Sequence, residues 1–94
     1  MKLEFEWDIS KATLNALKHG VSFEEATSVF EAEKILTKKD AKHSILEDRT
    51  AAIGPSNQNR LIVVIFTERD KRFRIISARR ANQKEREQYE QKTA

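Results

Sequence analysis

Hydrophobic and polar positions follow two rhythms along the chain, helical in the first third and mostly extended after it. Phe5-Glu6-Trp7 alternates as a short strand does, and Asp8 follows as a helix N-cap. The spacing predicts a helix over 9–19, with Leu14 and Leu17 three apart and Ala12 and Ala16 alongside. Gly20 then stands where a left-handed C-terminal cap is wanted. Ser22-Phe23-Glu24-Glu25 has the form of a capping box, serine at N-cap and glutamate at N3. The helix it opens carries Phe23, Ala26, Val29 and Phe30 on one face. These two helices are a helix–turn–helix in sequence order only. The second begins acidic and has no Lys or Arg before Lys34, which argues against a place in a major groove.

From Ile35 onward the period becomes two. Ile35-Leu36-Thr37 predicts a strand, and so does the Thr50–Ile53 segment, ended by Gly54-Pro55. Asn57-Gln58-Asn59 predicts a turn, since Asn tolerates left-handed backbone. Arg60–Arg69 and Phe73–Ala78 form two β-branched, apolar strands joined by a hairpin at Asp70-Lys71. Leu61–Phe66 is apolar on both faces, the mark of a central strand covered on both sides. Asn82–Lys92 is a polar helix with an Asn82…Glu85 cap and Tyr89 as its only large apolar residue. The order predicts a single α+β domain over 1–94, its helices packed on one face of an antiparallel sheet.

Composition narrows the function. Ninety-four residues without cysteine exclude disulfide staples and thiolate metal sites. The longest apolar run has six residues, far short of the roughly 20 of a membrane helix. Acids at Glu4 and Glu6 interrupt any export signal, so a cytoplasmic location without a membrane partner is expected. The net charge of +3 is unevenly placed: −2 over residues 1–50 and +5 over 51–94. Seven of the eight arginines lie in the second half. Guanidinium groups suit bidentate phosphate contacts, so the asymmetry suggests a nucleic-acid partner.

Three stretches could carry chemistry. Asp40, His43, Glu47, Asp48 and Arg49 supply acid/base groups, or simply a polar loop; metal binding by His43 and Glu47 is the weaker option. At the end of the central strand, Arg69 shares a face with Thr67 and Ile65 and either emerges at the rim of a phosphate site or simply ends a solvated strand beside the hairpin. In Arg72–Arg80, strict alternation puts Phe73, Ile75, Ser77 and Arg79 on one face and Arg74, Ile76 and Ala78 on the other. Small Ser77 beside Arg79 then forms a pocket floor with a cation at its lip. Arg86 and Tyr89 share one side of the last helix and could bind a phosphate and stack on a base together, or simply form a cation–π contact on the helix surface. The helix dipole alone explains Lys18 and His19, so His19 is not counted among the catalytic candidates.

A series of motifs in order resembles one family. Phe5-Glu6-Trp7-Asp8, Lys18-His19-Gly20-Val21-Ser22-Phe23-Glu24-Glu25-Ala26, and Asp40…His43-Ser44…Glu47-Asp48-Arg49 with Ile53-Gly54-Pro55-Ser56 are similar to the BrnT family of bacterial toxins. Arg74-Ile75-Ile76-Ser77-Ala78-Arg79 and Glu85-Arg86-Glu87-Gln88-Tyr89-Glu90 extend the match, which covers roughly residues 5 to 90. Asn59 stands where the family usually has glycine.

The resemblance implies a RelE-type fold and a metal-free endoribonuclease without cofactors that arrests translation and growth. It implies a BrnA-like ribbon-helix-helix antitoxin, joined in a hetero-oligomer such as two toxins with two antitoxins. That complex would repress its own operon, reaching operator DNA only through the antitoxin. For cleavage, Arg79 and Arg69 are assigned to the phosphate and His43 and Glu47 to proton transfer. Arg60, Arg74, Arg80, Arg86 and Tyr89 are assigned to RNA binding. A non-catalytic nucleic-acid-binding or protein-interaction module is the competing class.

Overall fold

The apolar run at 61–66 lies inside the longest strands, and the sheet is built outward from it. The structure is a computed structural model that describes residues 3–40 and 47–94. Strand β4 (Leu61–Arg69) pairs antiparallel with β3 (Thr50–Pro55) on one side and β5 (Arg72–Arg80) on the other. Beyond β3 lies β2 (Leu36–Lys39), also antiparallel, and beyond β5 the two-residue β1 (Phe5–Glu6), which is parallel. The order is β1-β5-β4-β3-β2, a mostly antiparallel five-stranded sheet. Among the described residues, three α-helices complete an α+β domain: α1 (Ile9–His19), α2 (Phe23–Ser28) and α3 (Gln83–Thr93). None of the described helices is long and apolar enough to cross a membrane.

Local chemistry sets most boundaries where the sequence places them. Asp8 accepts from the Lys11 amide at 3.0 Å, and Gly20 closes α1 at φ 67°. The β4–β5 hairpin turns on Asp70 and Lys71, both at positive φ (52° and 64°), the two-residue form that matches strand twist. Asn59 also holds a left-handed backbone, at φ 58°.

Four expectations are corrected. β3 continues through Gly54-Pro55, because Pro55 falls at the strand's last paired position, opposite Leu61. The Ser22 hydroxyl caps the Glu25 amide, but the Glu25 carboxylate does not reach back; it turns inward to Ser56 and Arg60. The helices do not all share a face. α1 and α2 enclose a core of Val21, Phe23, Ala26, Ile62, Val64 and Ile75, whereas α3 lays Tyr89 on the opposite face over Ala51, Ile53 and Val63. Finally, β5 does not alternate strictly. Ile65 pairs with Ser77 and Phe66 with Ile75, so Ile76 is an extra residue in a β-bulge. Phe73, Ile75 and Ala78 stay on the α1–α2 face, and Ser77 and Arg79 move to the other.

The position of α1 follows from hydrogen bonding more than from its leucines. Because β1 is so short, β5 beyond Arg74 has an open edge. Asn15 closes it: its amide donates to the Ala78 carbonyl at 2.8 Å and its carbonyl accepts from the Ala78 amide at 3.2 Å, as a neighbouring strand would. A second donation, to the Val21 carbonyl at 2.9 Å, ties in the α1–α2 turn. The helix therefore buries Asn15 and leaves Leu14 and Leu17 outside, 65% and 80% exposed.

Candidate active site

The bulge in β5 and the pinned end of α1 together shape a cleft of about 510 Å³ on the face that also carries α3. Its floor is two apolar isoleucines, Ile65 and Ile76, with the small Ser77 between them and Arg79. Lys18 and His19 come to its rim from the last turn of α1, and Arg79 from β5. Asp40 and Arg49, on either side of the β2–β3 connection, close the remaining wall. A backbone bond from the Asp40 amide to the Arg49 carbonyl, 2.8 Å, holds those two together.

The rim is predominantly cationic, and its two arginines are each paired with a glutamate. Arg79 makes a two-point pair with Glu85 of α3, Nη1–Oε1 2.7 Å and Nη2–Oε2 2.8 Å, yet its side chain stays 40% exposed. That pairing holds the Glu85 carboxyl below its ordinary value and raises Arg79 further. Glu85 also completes the α3 capping box with Asn82, so the start of the helix and the orientation of Arg79 are fixed by one carboxylate. Glu47 lies between two arginines, 3.4 Å from Arg49 Nε and 2.9 Å from Arg69 Nη2.

The site residues expected from sequence are dispersed. Arg79 is in the cleft; Arg69 is not. Arg79 pairs with Val63 and Arg69 ends the same β4, six residues on, about 20 Å at strand rise. Arg69 lines a separate concavity with Phe66, Phe73 and Asp48. Arg60 is held by Glu25, whose side chain is 1% exposed, and donates to the Gly20 carbonyl at 3.0 Å. Arg74 pairs with Glu6 at 2.8 Å, securing the β1 edge. Arg80 is exposed at the end of β5 and Arg86 on α3. Tyr89 is half-buried, packs against the sheet and donates its hydroxyl to the Lys34 carbonyl at 2.8 Å. His43 lies outside the described residues.

Two cleft residues, Lys18 and His19, escaped the sequence reading because helix-dipole chemistry already accounted for them. In the sequence, Arg49 stands out only as part of a polar stretch. The available signal was Asn15, a polar residue in the middle of α1 that orients the helix end toward β5.

Comparison with known proteins follows the same architecture. A family model described as "Ribonuclease toxin, BrnT, of type II toxin-antitoxin system" matches residues 7–85. The crystal structure of the Brucella abortus ribonuclease toxin BrnT is similar, with a TM-score of 0.64 and 30% sequence identity over 87% of this chain and 100% of that one. No curated protein sequence matches.

Proposed function

Since this chain belongs to the BrnT family of ribonuclease toxins of type II toxin–antitoxin systems, we propose that it cuts RNA in the cleft bounded by Lys18, His19, Arg49 and Arg79. The observation that carries this is the convergence of Arg49, just before β3, and Arg79, from β5, with Lys18 over a floor of Ile65, Ile76 and Ser77. Fixed cations there meet the charge that builds on a phosphorane, where each preorganised donor is worth the most.

The chemistry needs no metal. The ribose 2′-hydroxyl attacks its own phosphorus, the bond to the 5′ oxygen breaks, and a 2′,3′-cyclic phosphate and a 5′-hydroxyl remain. One group takes the 2′ proton and another returns a proton to the leaving oxygen. His19, at the rim, is the first candidate for one of these steps and His43 the candidate for the other. Glu47 holds Arg49 toward the cleft, and Arg69 braces Glu47 from its far side. Arg80 and Arg86 supply positive charge along the path of the RNA. DNA lacks the attacking hydroxyl and is inert.

A BrnA-like ribbon-helix-helix antitoxin neutralises the toxin in the cytoplasm, and their complex represses its own operon through the antitoxin. The RelE-type kinship of the fold belongs to the same reading, supported by helices and a mostly antiparallel sheet. Incubation of the purified protein with RNA in EDTA tests it. Cleavage to cyclic-phosphate ends that survives chelation, and is lost in His19→Ala, is the expected result. No cleavage of any RNA would favour the non-catalytic binding module.

A further inference from the structure

Helix α1 exposes apolar surface that its own fold does not use. Of the large apolar side chains most exposed among the described residues, three of four lie on this helix: Ile9 at 79%, Leu14 at 65% and Leu17 at 80%. Ile9, Thr13 and Leu17 follow one another at intervals of four, with Leu14 beside them, so they form one stripe. The Thr13 hydroxyl is turned onto the helix itself, donating to the Ile9 carbonyl at 3.1 Å. Asn15 fixes which side of α1 faces the sheet, so the stripe cannot roll inward without breaking the bonds to Ala78 and Val21. Leucines held outward at such a cost in hydrophobic burial mark a surface meant to be covered.

The charges beside the stripe select its occupant. Residues 9–19 contain Lys11, Lys18 and His19 and no acid. A second copy of the chain, seated face to face, would bring lysine toward lysine. Nucleic acid would leave the leucines without apolar partners. An acidic amphipathic segment satisfies both features, placing apolar residues on Leu14 and Leu17 and carboxylates at the two lysines.

We propose that α1 is the docking surface for the antitoxin, through an acidic amphipathic segment laid along Ile9–Leu17. The inference rests on the reading of the chain as the toxin of a toxin–antitoxin pair and adds the place and the means of neutralisation. Leu17 is followed directly by Lys18 and His19, the rim of the cleft. A segment seated on the stripe and continuing past the last turn of α1 covers that rim, so antitoxin and RNA compete.

The test uses the full chain and its co-encoded antitoxin, with affinity measured by calorimetry and RNA cleavage measured separately. The double variant Leu14→Glu/Leu17→Glu alters only exposed positions and keeps the fold. It is expected to weaken antitoxin binding by about 100-fold or more, as loss of central apolar anchors does. Its cleavage of RNA stays within about threefold of the antitoxin-free parent, whether or not antitoxin is added, whereas antitoxin silences the parent. Lys11→Glu weakens binding by about 5–10-fold, and the effect shrinks with added salt. Unchanged affinity in the double variant would overturn the proposal, as would a parent chain that binds no antitoxin. So would a parent that is dimeric alone and made monomeric by the double substitution. A parent that cuts no RNA yet loses antitoxin through these substitutions would sink the ribonuclease reading and leave the docking surface standing.

Discussion

Individual polar residues do much of the positioning in this small domain. Glu25 is the most deeply buried acid described, and it receives Ser56 Oγ at 2.7 Å and the Arg60 guanidinium. Arg60 in turn grips the Gly20 carbonyl, so the end of α1 is tied to the strand that follows the Asn59 turn. Glu25→Gln is expected to lower stability by about 1–3 kcal/mol in chemical denaturation, because charge-assisted bonds inside the fold are lost. Both Glu25 and Glu85 titrate below an ordinary glutamate, mainly through their arginine partners and against the opposing effect of burial. The folded protein therefore binds fewer protons than the unfolded chain in the acid range. This stability is complete above the unfolded value, about 4.3, and drains away as pH falls through the lower folded values. Thermal melts from pH 6 to pH 2.5 check it: Glu25→Gln should flatten the decline.

Elements show what the sequence could and could not convey. The helix limits of α1, its Asp8 and Gly20 caps, the meander and the polar α3 were legible because each rests on local chemistry. The bulge at Ile76 was not. One added residue reverses every side chain beyond it, and nothing in Arg74-Ile75-Ile76-Ser77 fixes the register on its own. Similarly, Leu14 and Leu17 give α1 an apolar side, but the unfilled edge of β5 chose Asn15 instead. Asn15→Ala leaves the Ala78 amide and carbonyl and the Val21 carbonyl without this partner, and is expected to cost about 2–4 kcal/mol. The hairpin offers the opposite case. Lys71 adopts left-handed backbone that glycine takes freely, so Lys71→Gly should stabilise the fold by about 0.5–1 kcal/mol, read as a higher melting temperature.

At the scale of the whole molecule, seven arginines in the second half suggested one phosphate-binding surface. The fold spends several of them differently: Arg60 on Glu25, Arg74 on Glu6, Arg72 on Glu4 and Arg69 on Glu47. Charge asymmetry announced a polyanionic partner, but which guanidinium faces it depends on pairings between residues up to 68 apart, which no local pattern contains. Arg79 is also paired, yet its partner Glu85 holds it at the rim of the cleft. If the proposed function holds, RNA is cut there and not in the concavity beside Arg69. Single-turnover cleavage by Arg79→Ala and Arg69→Ala, each shown folded by circular dichroism, addresses it most directly. A loss of about 10²–10³-fold is expected for Arg79→Ala and a change of less than about tenfold for Arg69→Ala, which reaches the cleft through Glu47. Full activity in a folded Arg79→Ala protein, or the larger loss in Arg69→Ala, would contradict it.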